Sequence, residues 1–105
     1  MALEEPREIL DLQDGGKLQT RILRHELGIT KILPRGATEE KEIEALRIHV
    51  PKEDKQHYPY WWDISSKTLK HQLLPLLPEI EKNGRRVTIT KYGVAPAARF
   101  KVEVQ

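Results

Sequence analysis

One stretch of this chain carries a helical apolar period, and the segments on both sides of it carry a period of two. Leu69, Leu73, Leu76, Leu77 and Ile80 recur at the spacing of one buried helix face. Lys67, Lys70 and His71 lie toward the other side. Ser65 or Ser66 stands where a cap is needed, its hydroxyl placed to accept from the first free amides. Asn83-Gly84 supplies a C-terminal stop. Pro75 has no amide to donate and crowds the preceding turn, so the spacing predicts a break near Leu74 and a second short turn from Pro78 to Lys82. A lone helix of this kind has to bury its leucines against strands.

Strand patterns surround it. From Lys17, Leu18, Thr20 and Ile22 alternate with Gln19, Arg21 and Leu23. After Gly28, Ile29–Leu33 continues as a second β-prone piece, so the two form either one long bent strand or a hairpin, with the bend in either case at Glu26-Leu27-Gly28. Residues 34–40 read as an exposed loop. In 42–50, Ile43 and Ala45 share one phase while Leu46, Ile48 and Val50 share the opposite one, which predicts a β-bulge near Ala45-Leu46. The aromatic run Tyr58–Trp62 leads into the helix cap, and alternation sets Tyr60, Trp62 and Ile64 on one face and Trp61 and Asp63 on the other. Trp62 is then expected in the core and Trp61 outside it. Two strands finish the chain. In 85–92, Val87 and Ile89 oppose Arg86, Thr88, Thr90 and Tyr92; in 98–104, Phe100, Val102 and Val104 oppose Arg99, Lys101 and Glu103. Gly93-Val94-Ala95-Pro96 connects them as a hairpin.

At 105 residues the chain suits one domain with a modest core. Its net charge of +2 is unevenly divided. Residues 1–16 hold Glu4, Glu5, Glu8, Asp11 and Asp14 against Arg7 alone, a balance of −4, so the remainder carries +6. We therefore expect a flexible acidic arm over 1–16, able to compete for a basic surface, and a single β-barrel-like domain over 17–105. With no cysteine, disulfide and thiolate chemistry are excluded and a cytoplasmic location is expected. The longest apolar run, Leu73–Pro78, is too short to cross a bilayer, so no membrane partner is expected.

The element order is three strands, a helix and two strands. In this order the chain resembles the OB-fold single-strand-binding proteins, in which a helix lies between the third and fourth strands of a five-stranded Greek-key barrel. The resemblance covers 17–104 and implies a mainly β protein with one helix plugging the barrel. The alternative is an α+β layer, an antiparallel sheet with one helix packed on a face. It also implies a single-stranded nucleic acid, most readily DNA, as partner.

Such binding needs aromatic faces for stacking and cations for phosphates. Trp61 and Tyr92 are the candidate platforms. Arg86, Thr88 and Thr90 share a strand face with Tyr92, Lys91 adjoins them, and Arg99 and Lys101 lie on the next strand. Arg21 and Arg24 extend the basic track from the first strand. The competing reading is an interaction or structural adaptor that dimerises by strand addition near Val94–Val104. The four histidines are scattered without a short-spaced ligand pair, and no acid–base constellation converges, so neither metal, cofactor nor catalytic residue is expected.

Overall fold

The computed structural model describes residues 2–34, 36–94 and 97–105. Arg35 of the expected 34–40 loop and Ala95 and Pro96 of the 93–96 connection lie outside them. The described chain forms two three-stranded antiparallel sheets. One has the order β1 (Lys17–Arg21), β5 (Arg86–Tyr92), β6 (Arg99–Val104). The other runs β2 (Arg24–Ile32), β3 (Lys41–His49), β4 (Trp61–Ile64). The helical segment comprises α1 (Lys67–Leu73) and α2 (Leu77–Asn83), joined by a 3-10 turn over Leu74–Leu76.

The first two strands are one bent strand that passes from sheet to sheet, not a hairpin, and the bend falls at Ile22-Leu23 rather than at Glu26-Leu27-Gly28, which β2 runs straight through in register with β3. β1 pairs with β5 and β2 with β3, and the joint at Ile22 is buried. Leu23 keeps the ladder going by donating its amide to the His49 carbonyl, 2.7 Å away.

Helix initiation is local chemistry. Ser66 has extended backbone, and its Oγ accepts from the Leu69 amide at 3.3 Å. Pro75 falls inside the 3-10 turn, where the tighter winding accommodates its missing donor. Gly84 ends α2 at φ 62°, a left-handed conformation that favours glycine. Leu69, Leu73, Leu77 and Ile80 point between the sheets and meet Ile22, Leu46, Ile48, Ile64, Val87 and Ile89 in one cluster. Each large apolar side chain buried there contributes roughly 1.5–3 kcal/mol. Leu76 and Trp62 pack against the cluster from its rim and stay partly open to solvent.

Three further expectations need correction. The first is the closed five-stranded barrel: closure would pair β4 with β6, and no such pairing exists among the described residues. The free edge of β4 is taken instead by the leader, because the Asp63 amide donates to the Glu8 carbonyl at 2.7 Å and the Leu10 amide to the Asp63 carbonyl at 2.9 Å. A 640 Å³ cleft lined by Ile9, Leu10, Ser66, Leu69, Lys91 and Phe100 remains open. The architecture is two three-stranded sheets with one helical segment, consistent with the α+β alternative but with two sheets where that alternative has one.

The second is the bulge. The β2–β3 register runs unbroken through Ala45-Leu46, and the β3–β4 register is unbroken from Leu46 to His49. Both phases are apolar because β3 is covered on both faces. Leu46 and Ile48 meet the core, while Ala45 and Arg47 are buried on the far side, where Pro6 of the leader lies against Arg47.

Residues 2–16, expected as a flexible arm, are docked as a strap. Ala2 bridges Ile29 at the outer edge of β2, and Ile9 bridges Asp63 at the outer edge of β4. Between these points the Pro6 carbonyl accepts from Arg47 Nη2 at 3.5 Å and from the Trp61 indole at 3.0 Å.

Candidate nucleic-acid interface

Side chains paired across an antiparallel ladder share a face. The β1–β5 register places Lys17 beside Thr90, Gln19 beside Thr88 and Arg21 beside Arg86. The β5–β6 register places Arg99 beside Tyr92, Lys101 beside Thr90 and Glu103 beside Thr88. With Val87 and Ile89 turned into the core, this whole set lies on the outer face of the β1–β5–β6 sheet. Seven of the ten expected binding residues are therefore brought together: Arg21, Arg86, Thr88, Thr90, Tyr92, Arg99 and Lys101. Lys17 and Gln19 join them. Sequence reasoning missed both, since only the pairing of the first strand with the fifth brings them here.

The two ends of the face differ electrostatically. At one end Asp54 Oδ2 accepts from the Arg21 amide at 2.9 Å and from Arg21 Nε at 3.2 Å, while Arg86 Nη1 lies 3.7 Å from Oδ1. Burial by itself would raise the pKa of Asp54, but the Arg21 amide and guanidinium, helped by Arg86, outweigh it and hold the carboxyl below the usual aspartate range. The single Asp54 carboxylate thus offsets part of the charge of these two arginines. At the other end Lys17 and Arg99 have no carboxylate within ion-pair distance among the described residues, and Lys101 reaches only Glu103 at 3.9 Å. Tyr92 stands among these cations with about half its surface, 49%, exposed. Thr90 contributes little, because it is 3% exposed between the flanking Lys17 and Lys101.

Three expected residues lie elsewhere. Lys91 follows the opposite phase and lines the cleft between the sheets. Arg24 begins β2 in the other sheet and pairs with Glu26 at 3.5 Å. Trp61 is on the outer face of β4, as alternation required, but is half-buried against the strap. Its indole nitrogen donates to Pro6, the Arg47 guanidinium sits 4.5 Å from the ring centre, and His49 and Tyr58 pack edge-on at 5.5 and 5.6 Å. These neighbours occupy the surface that stacking would need. Residues 2–10 of the acidic strap run along the β2–β3–β4 sheet rather than over the basic face they were expected to compete for, while Asp14 accepts from the Gly93 amide at 2.8 Å and Gly15-Gly16 exchange backbone bonds with Lys91.

Beneath the strap lies a buried ionic cluster. Asp63 receives Arg47 Nε at 2.7 Å and Nη2 at 3.0 Å, and the Glu8 amide at 3.0 Å. Nearby, His49 Nε2 lies 2.7 Å from Glu26 Oε2, and this hydrogen bond outweighs burial to hold Glu26 below the usual glutamate range. Among the described residues no group of three or more His, Cys, Asp or Glu could hold a metal ion, and no helix is long and apolar enough to cross a membrane.

No protein-family model, curated protein or solved structure matches the chain.

Proposed function

We propose that this protein binds single-stranded nucleic acid, most readily DNA, on the outer face of the β1–β5–β6 sheet. The observation that carries this reading is the gathering of Lys17, Arg99 and Lys101 around the exposed ring of Tyr92 on one sheet surface. Cations spread along a flat face neutralise successive phosphates, and a ring among them offers a base a stacking partner. Gln19 and Thr88 add hydrogen-bonding groups next to the cations. The strand sequence is a second support: taken through the bent first strand, the neighbours run β4-β3-β2/β1-β5-β6, the order of an OB barrel left open at its last seam.

The test is fluorescence anisotropy of a labelled oligonucleotide at several salt concentrations. Tryptophan emission is a poor reporter, because both indoles lie away from this face. Affinity should fall steeply with salt, and Lys101→Ala or Arg99→Ala should each reduce the log–log slope by about 0.7, the value for one phosphate contact on a single strand. Tyr92→Ala should cost about 1–3 kcal/mol of binding. No binding at low salt, or binding that is indifferent to all three substitutions, defeats the proposal. A second reading, an adaptor for an acidic protein surface, is favoured by the presence of only one ring on the face; it predicts binding to acidic polypeptide that an oligonucleotide does not displace.

A further inference from the structure

β6 pairs with β5 on one side, and among the described residues no strand covers its other edge. The direction of its amides is fixed by two bonds. Gln105 donates inward to the Arg86 carbonyl at 2.8 Å, so Arg99, Lys101 and Glu103 also turn their backbone groups toward β5. Phe100, Val102 and Val104 therefore turn theirs outward, and the Phe100 carbonyl accordingly accepts from the Gln72 side chain at 3.0 Å. An edge with outward amides is a template for another strand.

The sequence of β6 is complementary to itself in one register. Two copies paired antiparallel must match outward residues with outward residues. Centring the two-fold on Lys101 sets that lysine against its own copy, and centring it on Glu103 does the same for the glutamate; like charges directly opposed are destabilising. Centring it on Phe100 sets Arg99 against Lys101, and centring it on Val104 leaves little overlap. Centring it on Val102 sets Lys101 against Glu103 of the second copy, and Glu103 against Lys101. It also sets Phe100 against Val104, and Val102 against itself. The charged pairs fall at the non-hydrogen-bonded positions, where side chains approach most closely. Both Lys101 and Glu103 are more than half exposed, and the 3.9 Å pair they make with each other within the chain is exchanged in this register for pairs across the seam.

We propose that β6 is the seam of a homodimer, two copies joined antiparallel about Val102 into a continuous six-stranded sheet. The interface is isologous, with every contact made twice. The Val102 amide and carbonyl exchange bonds across the axis, and each Phe100 carbonyl, having two lone pairs, accepts from Val104 of the other copy while keeping Gln72. A two-fold normal to the sheet leaves both basic faces on the same side, which doubles the cationic surface. The dimer does not depend on what that surface binds.

Sedimentation velocity of the full chain, without nucleic acid, across the micromolar to submillimolar range decides it. The wild type should show a reversible monomer–dimer equilibrium. Lys101→Glu should weaken it by roughly tenfold, since two attractive pairs become repulsive. The double exchange Lys101→Glu/Glu103→Lys should restore it. Val102→Pro should leave a folded monomer by circular dichroism, because proline is tolerated where an edge amide faces outward. A wild type that stays monomeric, a double exchange no better than the single, or a folded Val102→Pro that still dimerises would overturn the proposal. Should Val102→Pro unfold, the charge exchange decides alone.

Discussion

Arg47→Met tests how much of the fold depends on the ionic cluster beneath the strap. Arg47 and Asp63 are 1% and 0% exposed. The substitution removes two charged hydrogen bonds of 2.7 and 3.0 Å and leaves Asp63 buried with only the Glu8 amide as partner. Breaking such a pair from one side costs about 3–5 kcal/mol, since the surviving charge has lost its compensation. Against a typical domain stability of about 5–15 kcal/mol this is a large fraction. The double variant Arg47→Met/Asp63→Leu buries no charge and should be more stable than either single variant, its remaining deficit coming from the unpaired Glu8 amide, about 1 kcal/mol. Urea unfolding followed by far-UV circular dichroism gives each value, independently of the indole that sits in the perturbed site. Added salt should change the wild-type result little, because buried pairs are weakly screened. If Arg47→Met lies within about 1 kcal/mol of wild type, or the double variant is weaker than both singles, the cluster is not holding the strap to the sheet.

Two further outcomes are expected. Asp54 has a folded pKa below its ordinary value of 3.8, so its contribution is fully present above that value and lost as the pH falls through the folded pKa; Asp54→Asn should flatten the stability–pH curve below 3.8, as read by urea melts in acid. Ser66→Ala should cost about 1 kcal/mol by removing the acceptor for the Leu69 amide, and an unchanged denaturation midpoint would mean the helix start is fixed by packing alone.

Much of the secondary structure was legible because its causes are local. The helix face, the Ser66 cap, the interruption at Pro75 and the stop at Gly84 follow from spacing, a side-chain oxygen, a missing amide and a missing Cβ. The Arg86–Tyr92 row was legible for the same reason, since alternation along one strand already separates Val87 and Ile89 from the polar residues. Pairing between distant strands has no such local signature. That left Lys17 and Gln19 off the expected surface and placed Arg24 on it, when the bend at Ile22 sends the residues before and after it to different sheets.

The phase slip at Ala45-Leu46 shows where the boundary falls. By itself the sequence determined that both phases of 42–50 carry residues suited to burial, and a bulge is the explanation available within a single strand. Only the tertiary structure decided that the second face is sealed by the leader, which bridges Ile29 and Asp63 and thereby also takes the edge that barrel closure would have used. The physical reason is that the sixteen leading residues carry no period of their own. The position of residues 2–10 is set by backbone groups meeting Ile29, Arg47, Trp61 and Asp63, partners more than twenty residues away along the chain.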